Sequence, residues 1–91
     1  MEYNGWKNWE TWNVALWMSN TESLYLAIES RKDDLIEKYG IEDRRIVRIL
    51  ARFIRATCED NFPEGTPDMR PLPGRKYART DFLSIAEGFF D

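Results

Sequence analysis

Ninety-one residues, 43% hydrophobic and 14% aromatic, make a single small domain, 1–91, with material for one core. The chain has no histidine and one cysteine, which excludes imidazole triads, paired-thiol metal sites and an internal disulfide. Its net charge of −3 is unevenly laid out: residues 1–43 hold nine acids and four bases, residues 44–79 four acids and nine bases, and residues 80–91 three acids.

The first predicted helix covers about residues 9–19. Asn8 is its expected N-cap, Glu10 sits in the first turn against the helix dipole, and Trp9, Trp12 and Leu16 share a face. Trp12 and Trp17 lie about 140° apart in projection, so they cannot both meet one core surface. Either other parts of the chain wrap both sides of this helix, or an indole is left as an anchor for a partner. Asn13, placed mid-helix where its amide adds no propensity, requires hydrogen bonds. A tie to a neighbouring loop or helix is the structural reading, and contact with a ligand is the functional one.

Asn20 reads as a second cap, followed by Leu24, Ile28, Leu35 and Tyr39 in helical register and by Gly40 as a stop. This second helix is one piece or, if Ser30 and Asp33 cap a separate segment, two. The third helix, about 42–59, has the sharpest pattern. Ile46, Val47, Ile49, Leu50, Phe53, Ile54 and Thr57 fall on one side, while Arg44, Arg48, Arg52 and Arg55 form a stripe on the other. Cys58, beside the apolar side, reads as a small core hydrophobe rather than a nucleophile.

Residues 61–79 hold all four prolines and two of the five glycines, so a long loop is expected, with a short strand pair as an option. Phe62, Met69, Leu72 and Tyr77 are its candidate anchors, and Arg70, Arg75, Lys76 and Arg79 add positive charge. Thr80 then caps a short closing helix carrying Phe82, Ile85, Ala86 and Phe89 on one face. With no alternating segment, the expected fold is all-α: four to five helices in a small bundle, with the Pro/Gly loop before a short C-terminal helix.

The chemistry left by this composition is sparse. No phosphate-cradling glycine motif occurs, and the clusters Asp33, Asp34, Glu37 and Glu42, Asp43 read as solvated helix faces rather than metal ligands. No enzyme activity, metal or cofactor is therefore expected. The N-terminus lacks the pattern of a signal peptide and no stretch reaches the length of a membrane span, so a cytoplasmic protein without membrane association is expected.

The stretch N-W-E-T-W-N-V-A-L-W-M-S-N-T-E-S-L-Y from Asn8 to Tyr25 resembles the opening of a family of small uncharacterised phage and bacterial proteins. The matching positions are Trp9, Glu10, Thr11, Trp12, Asn13, Leu16, Trp17, Asn20, Leu24 and Tyr25, and the ending D-F-L-S-I-A-E-G-F-F is similar to that family's closing helix. The resemblance implies a domain of unknown function in a phage or mobile-element setting. It places the protein, if phage-encoded, in the host cytoplasm.

Together these readings lead to an accessory protein that binds a host macromolecule, most simply a host protein, through Trp9, Glu10, Asn13 and Trp17 and through Arg44, Arg48, Arg52 and Arg55. The alternative is a nucleic-acid or nucleotide-binding module that sets the arginine stripe on phosphates and stacks exposed aromatics on bases. Self-association, with the arginines of one copy meeting the acids of another, is a third.

Overall fold

A computed structural model describes residues 3–72 and 77–91. The chain is all-helical: α1 (Trp9–Asn20), α2 (Glu22–Tyr39), α3 (Arg45–Asn61), a 3₁₀ turn (Tyr77–Arg79) and α4 (Phe82–Phe90). Among the described residues there is no strand, only an isolated bridge between Tyr3 and Trp6. The strand pair considered for residues 61–79 is absent from the described part of that loop, and Arg75 and Lys76 lie outside the described residues.

Asn8 caps α1 as expected. Its Oδ1 accepts from the Thr11 N–H at 2.9 Å, and its Nδ2 donates across the chain to the Arg79 carbonyl at 2.8 Å. The inner side of α1 differs from the tryptophan face read in the sequence. Glu10, Thr11, Asn13, Val14, Ala15 and Met18 are buried, whereas Leu16 is exposed. Apolar residues surround this helix, so periodicity cannot select the inner side; packing does.

One residue, Thr21 in extended backbone, separates α1 from α2. Asn20 therefore finishes α1 instead of capping α2. α2 is unbroken, buries Leu24, Ile28 and Leu35, and stops at Gly40, whose φ of 88° with ψ 148° is a conformation open to glycine because it has no Cβ. Tyr39, expected inside, is partly exposed under the Arg45 guanidinium, 5.4 Å from its ring centroid.

α3 begins later than the pattern implies. Asp43 Oδ1 accepts from the Arg45 N–H at 3.0 Å, and its Oδ2 from Arg45 Nη2 at 2.7 Å, so the carboxylate ends the turn from Gly40 and starts the helix. Ile46, Leu50, Ala51, Ile54 and Cys58 form its buried side. Against it pack α2 and α4, and α1 closes the bundle against α2.

The segment after α3 is pinned rather than loose. Met69 and Tyr77 are buried, Phe62 is half-buried, and the Tyr77 hydroxyl donates to the Phe62 carbonyl at 2.8 Å. Leu72, a fourth expected anchor, is 41% exposed. Asp81, not Thr80, caps α4: its carboxylate accepts from Ser84 N at 3.1 Å and Ser84 Oγ at 2.8 Å. Phe82, Ile85 and Ala86 are buried on α4 and Phe89 half-buried, as the spacing predicts.

Candidate functional site

The residues singled out in the sequence separate into two places with different character. Those on α1 are drawn into the fold. Glu10 is fully buried, its carboxylate 3.7 Å from the Arg79 guanidinium, and Trp9 is half-buried with its ring 6.3 Å from that of Trp12. Trp12 packs under Tyr3 at 4.9 Å, so the N-terminal turn covers one side of α1.

Asn13 and Trp17 face the other side and meet the loop. Asn13 Nδ2 donates to Asp68 Oδ2 at 2.8 Å, Trp17 Nε1 donates to the same oxygen at 2.9 Å, and Thr66 Oγ1 donates to Asn13 Oδ1 at 2.5 Å. The Trp17 ring stands edge-on to Phe62 at 5.6 Å. The bonds from Asn13 and Trp17 hold the Asp68 carboxyl below the ordinary aspartate value. The structural reading of Asn13 is the one seen: it ties α1 to a loop.

Asp68 and Thr66 were not singled out from the sequence. Neither has a periodic partner, and a loop aspartate after a proline looks like any turn residue until the chain is folded.

The arginines remain outside. Arg44, Arg48, Arg52 and Arg55 are all exposed, and from the cap position of Arg44 along α3 they fall within about 80° of one another in helical projection. Arg55 lies 3.5 Å from Glu59 and over the Phe82 ring at 5.8 Å. Among the described residues no ion pair joins Arg44, Arg48 or Arg52 to a carboxylate.

Beside the N-terminal half of the stripe runs an open groove of about 630 Å³ between α3 and α4. Arg44, Val47 and Arg48 form one wall, Leu83, Glu87 and Phe90 the other. Ile41 and Leu83 are 59% and 44% exposed there, so guanidinium groups border apolar surface. Trp17 is remote from this groove: it packs on Phe62, just past the end of α3, whereas Arg44 precedes its start. Seventeen residues of helix separate the two, about 25 Å.

Catalytic groups are scarce. Cys58 is fully buried with its Sγ 3.6 Å from Met18 Sδ, and burial pushes its thiol up to about 12. Among the described residues no three His, Cys, Asp or Glu side chains converge to hold a metal ion. No described helix is long and apolar enough to cross a membrane.

Neither the curated proteins nor the solved structures contain a match to this chain. A family model does match: that of DUF7249, a family of unknown function, over residues 1–65. That span runs from the N-terminal turn through α1, α2 and α3 to Gly65, and the chain therefore belongs to the DUF7249 family of unknown function.

Proposed function

We propose that this chain is a non-enzymatic accessory protein of phage or mobile-element type that binds a host protein through the arginine face of α3. The observation that carries the reading is the exposure of Arg44, Arg48 and Arg52, the first two bordering the groove that exposes Ile41 and Leu83. Arginine next to exposed aliphatic surface is the composition of a protein-binding patch, where guanidinium groups pair with carboxylates and aliphatic anchors lose water. The absence of histidine and the inert environment of Cys58 support a binding role over catalysis.

The surroundings of the stripe favour an acidic protein patch over nucleic acid. Asp43 stands at one end, Glu59 at the other and Glu87 across the groove. A phosphate backbone running along the helix would meet these carboxylates, while a partner patch of matching length would not. Glu10 and Asn13 are buried and act by holding α1 in place; of the four α1 residues singled out, Trp9 and Trp17 are the ones that reach solvent in part.

The test is capture from host cells with the wild-type chain and with Arg48→Glu/Arg52→Glu. Loss of a captured host protein by the variant, with an unchanged thermal transition, is the expected result. Retention of the same protein by the variant overturns the reading. Tight oligonucleotide binding at about 50 mM salt, weakening steeply as salt rises, would replace it with the nucleic-acid alternative.

A further inference from the structure

The outer face of α2 carries the counterpart of the arginine stripe. Glu22, Leu26, Asp33 and Glu37 fall within about 60° of one another in projection, opposite the buried Leu24, Ile28 and Leu35. All four are exposed, and Leu26, at 55%, is a large aliphatic side chain standing in an acidic ridge. Among the described residues no ion pair involves Glu22, Asp33 or Glu37.

The two faces share a spacing. Glu22 to Asp33 on α2 and Arg44 to Arg55 along α3 are both eleven residues apart, a rise of about 16 Å. With Glu22 set level with Arg44 in a parallel register, Asp33 falls level with Arg55. Leu26 then falls level with Arg48, where the groove beside α3 exposes Leu83 and Ile41. Acid meets base at Glu22–Arg44 and Asp33–Arg55 and aliphatic meets aliphatic between them, while Glu37 lies beyond the contact, level with Glu59.

We infer that a second copy of this chain docks its α2 ridge, through Glu22, Leu26 and Asp33, on the α3 arginine face and the Ile41–Leu83 groove. The joined surfaces are unlike, so every copy carries one half of the contact at α2 and the other at α3. The contact shares the arginine face with the proposed host partner but requires no foreign protein, and the purified chain alone tests it.

The experiment is sedimentation equilibrium over a concentration series, with two exposed double variants. The wild-type mass rises with concentration, and its association constant falls about tenfold or more between about 50 mM and 500 mM salt, as screening of charge pairs requires. Arg44→Glu/Arg55→Glu inverts the two charges level with Glu22 and Asp33, and Leu26→Lys/Asp33→Lys inverts the acidic side, so each alone sediments as a monomer. Mixed in equal amounts, they associate again, because the first retains its α2 ridge and the second its α3 stripe. A wild-type monomer at every concentration, self-association surviving in either variant, or a mixture that stays monomeric each overturns the inference. A control melt of both variants within a few degrees of wild type separates loss of contact from loss of fold.

Discussion

Asn13 Nδ2 and Asp68 Oδ2 meet at 2.8 Å across 55 positions of sequence, and this bond joins the middle of α1 to the loop that follows α3. Trp17 donates to the same oxygen from one turn further along α1, so a single carboxylate organises two side chains of the E-T-W-N-V-A-L-W stretch. The motif that draws attention in the sequence is thus largely engaged in building the domain.

Replacing Asn13 by alanine leaves the buried Thr66 hydroxyl without its acceptor and removes one donor from Asp68. The expected loss is about 1–3 kcal/mol in urea unfolding. Asp68→Ala, at an exposed position, costs less but moves the Trp17 fluorescence, since it strips the indole N–H of its partner. A stability change under a few tenths of a kcal/mol for Asn13→Ala would show the tie to be idle.

Acid should unfold the protein through three carboxylates. Asp43 is held below its ordinary value by hydrogen bonds from Arg45, and Asp68 by those from Asn13 and Trp17. At Asp81 burial opposes ionisation, but the Ser84 bonds and Lys7, 3.5 Å away, outweigh it and the net direction is again down. A folded value below the unfolded one means that the unfolded chain takes up protons first as pH falls. Stability from these groups is complete above about pH 5 and declines as pH drops through 4 and below. Melting temperature measured from pH 7 down to 2 should follow that course, and the decline should be smaller in Asp81→Asn.

Two glycines with nearly the same φ separate strain from crowding. Gly40, at φ 88° and ψ 148°, has open space where a Cβ would stand, so Gly40→Ala meets no clash with its surroundings and costs the strain of an essentially glycine-only backbone, about 1–3 kcal/mol. Gly65, at 95°, would place that Cβ 3.1 Å from Met69 Cβ in the buried loop. Gly65→Ala should therefore destabilise by about 2–4 kcal/mol, backbone strain and the displacement of Met69 acting together. A loss below about 1 kcal/mol for Gly65→Ala would mean that the loop yields freely around Met69.

Cys58 should resist thiol reagents while the chain is folded. With the thiol pushed up to about 12, the thiolate fraction at pH 8 is roughly a thousandfold below that of a free cysteine, before any allowance for burial. Modification should proceed only through unfolding and accelerate with urea in step with the loss of helical circular dichroism. Rapid labelling of the native protein would contradict its packing against Met18.

Much of the architecture was legible without coordinates. Asn8 and Gly40 mark helix ends because a side-chain acceptor and a positive-φ residue are local needs that the letters state directly. The two-sided pattern of α3 placed Ile46, Leu50 and Ile54 inside and the arginines outside, since a 3.6-residue period leaves no other arrangement. Boundaries shifted by one to three residues: the Asp43 carboxylate meets the Arg45 N–H at the start of α3, and Asp81 rather than the neighbouring Thr80 caps α4, because those carboxylates reach free N–H groups.

What the amino-acid sequence alone determined is therefore the helical class and the separation of greasy from charged sides on α3 and α4, both consequences of neighbours within a turn or two. Only the tertiary structure decided which side of α1 is buried and that Asp68 and Thr66 receive Asn13. It also decided that Arg44, Arg48 and Arg52 lack a described carboxylate partner. Those outcomes depend on residues tens of positions apart arriving at the same place, and helical periodicity holds no information about pairings at that range.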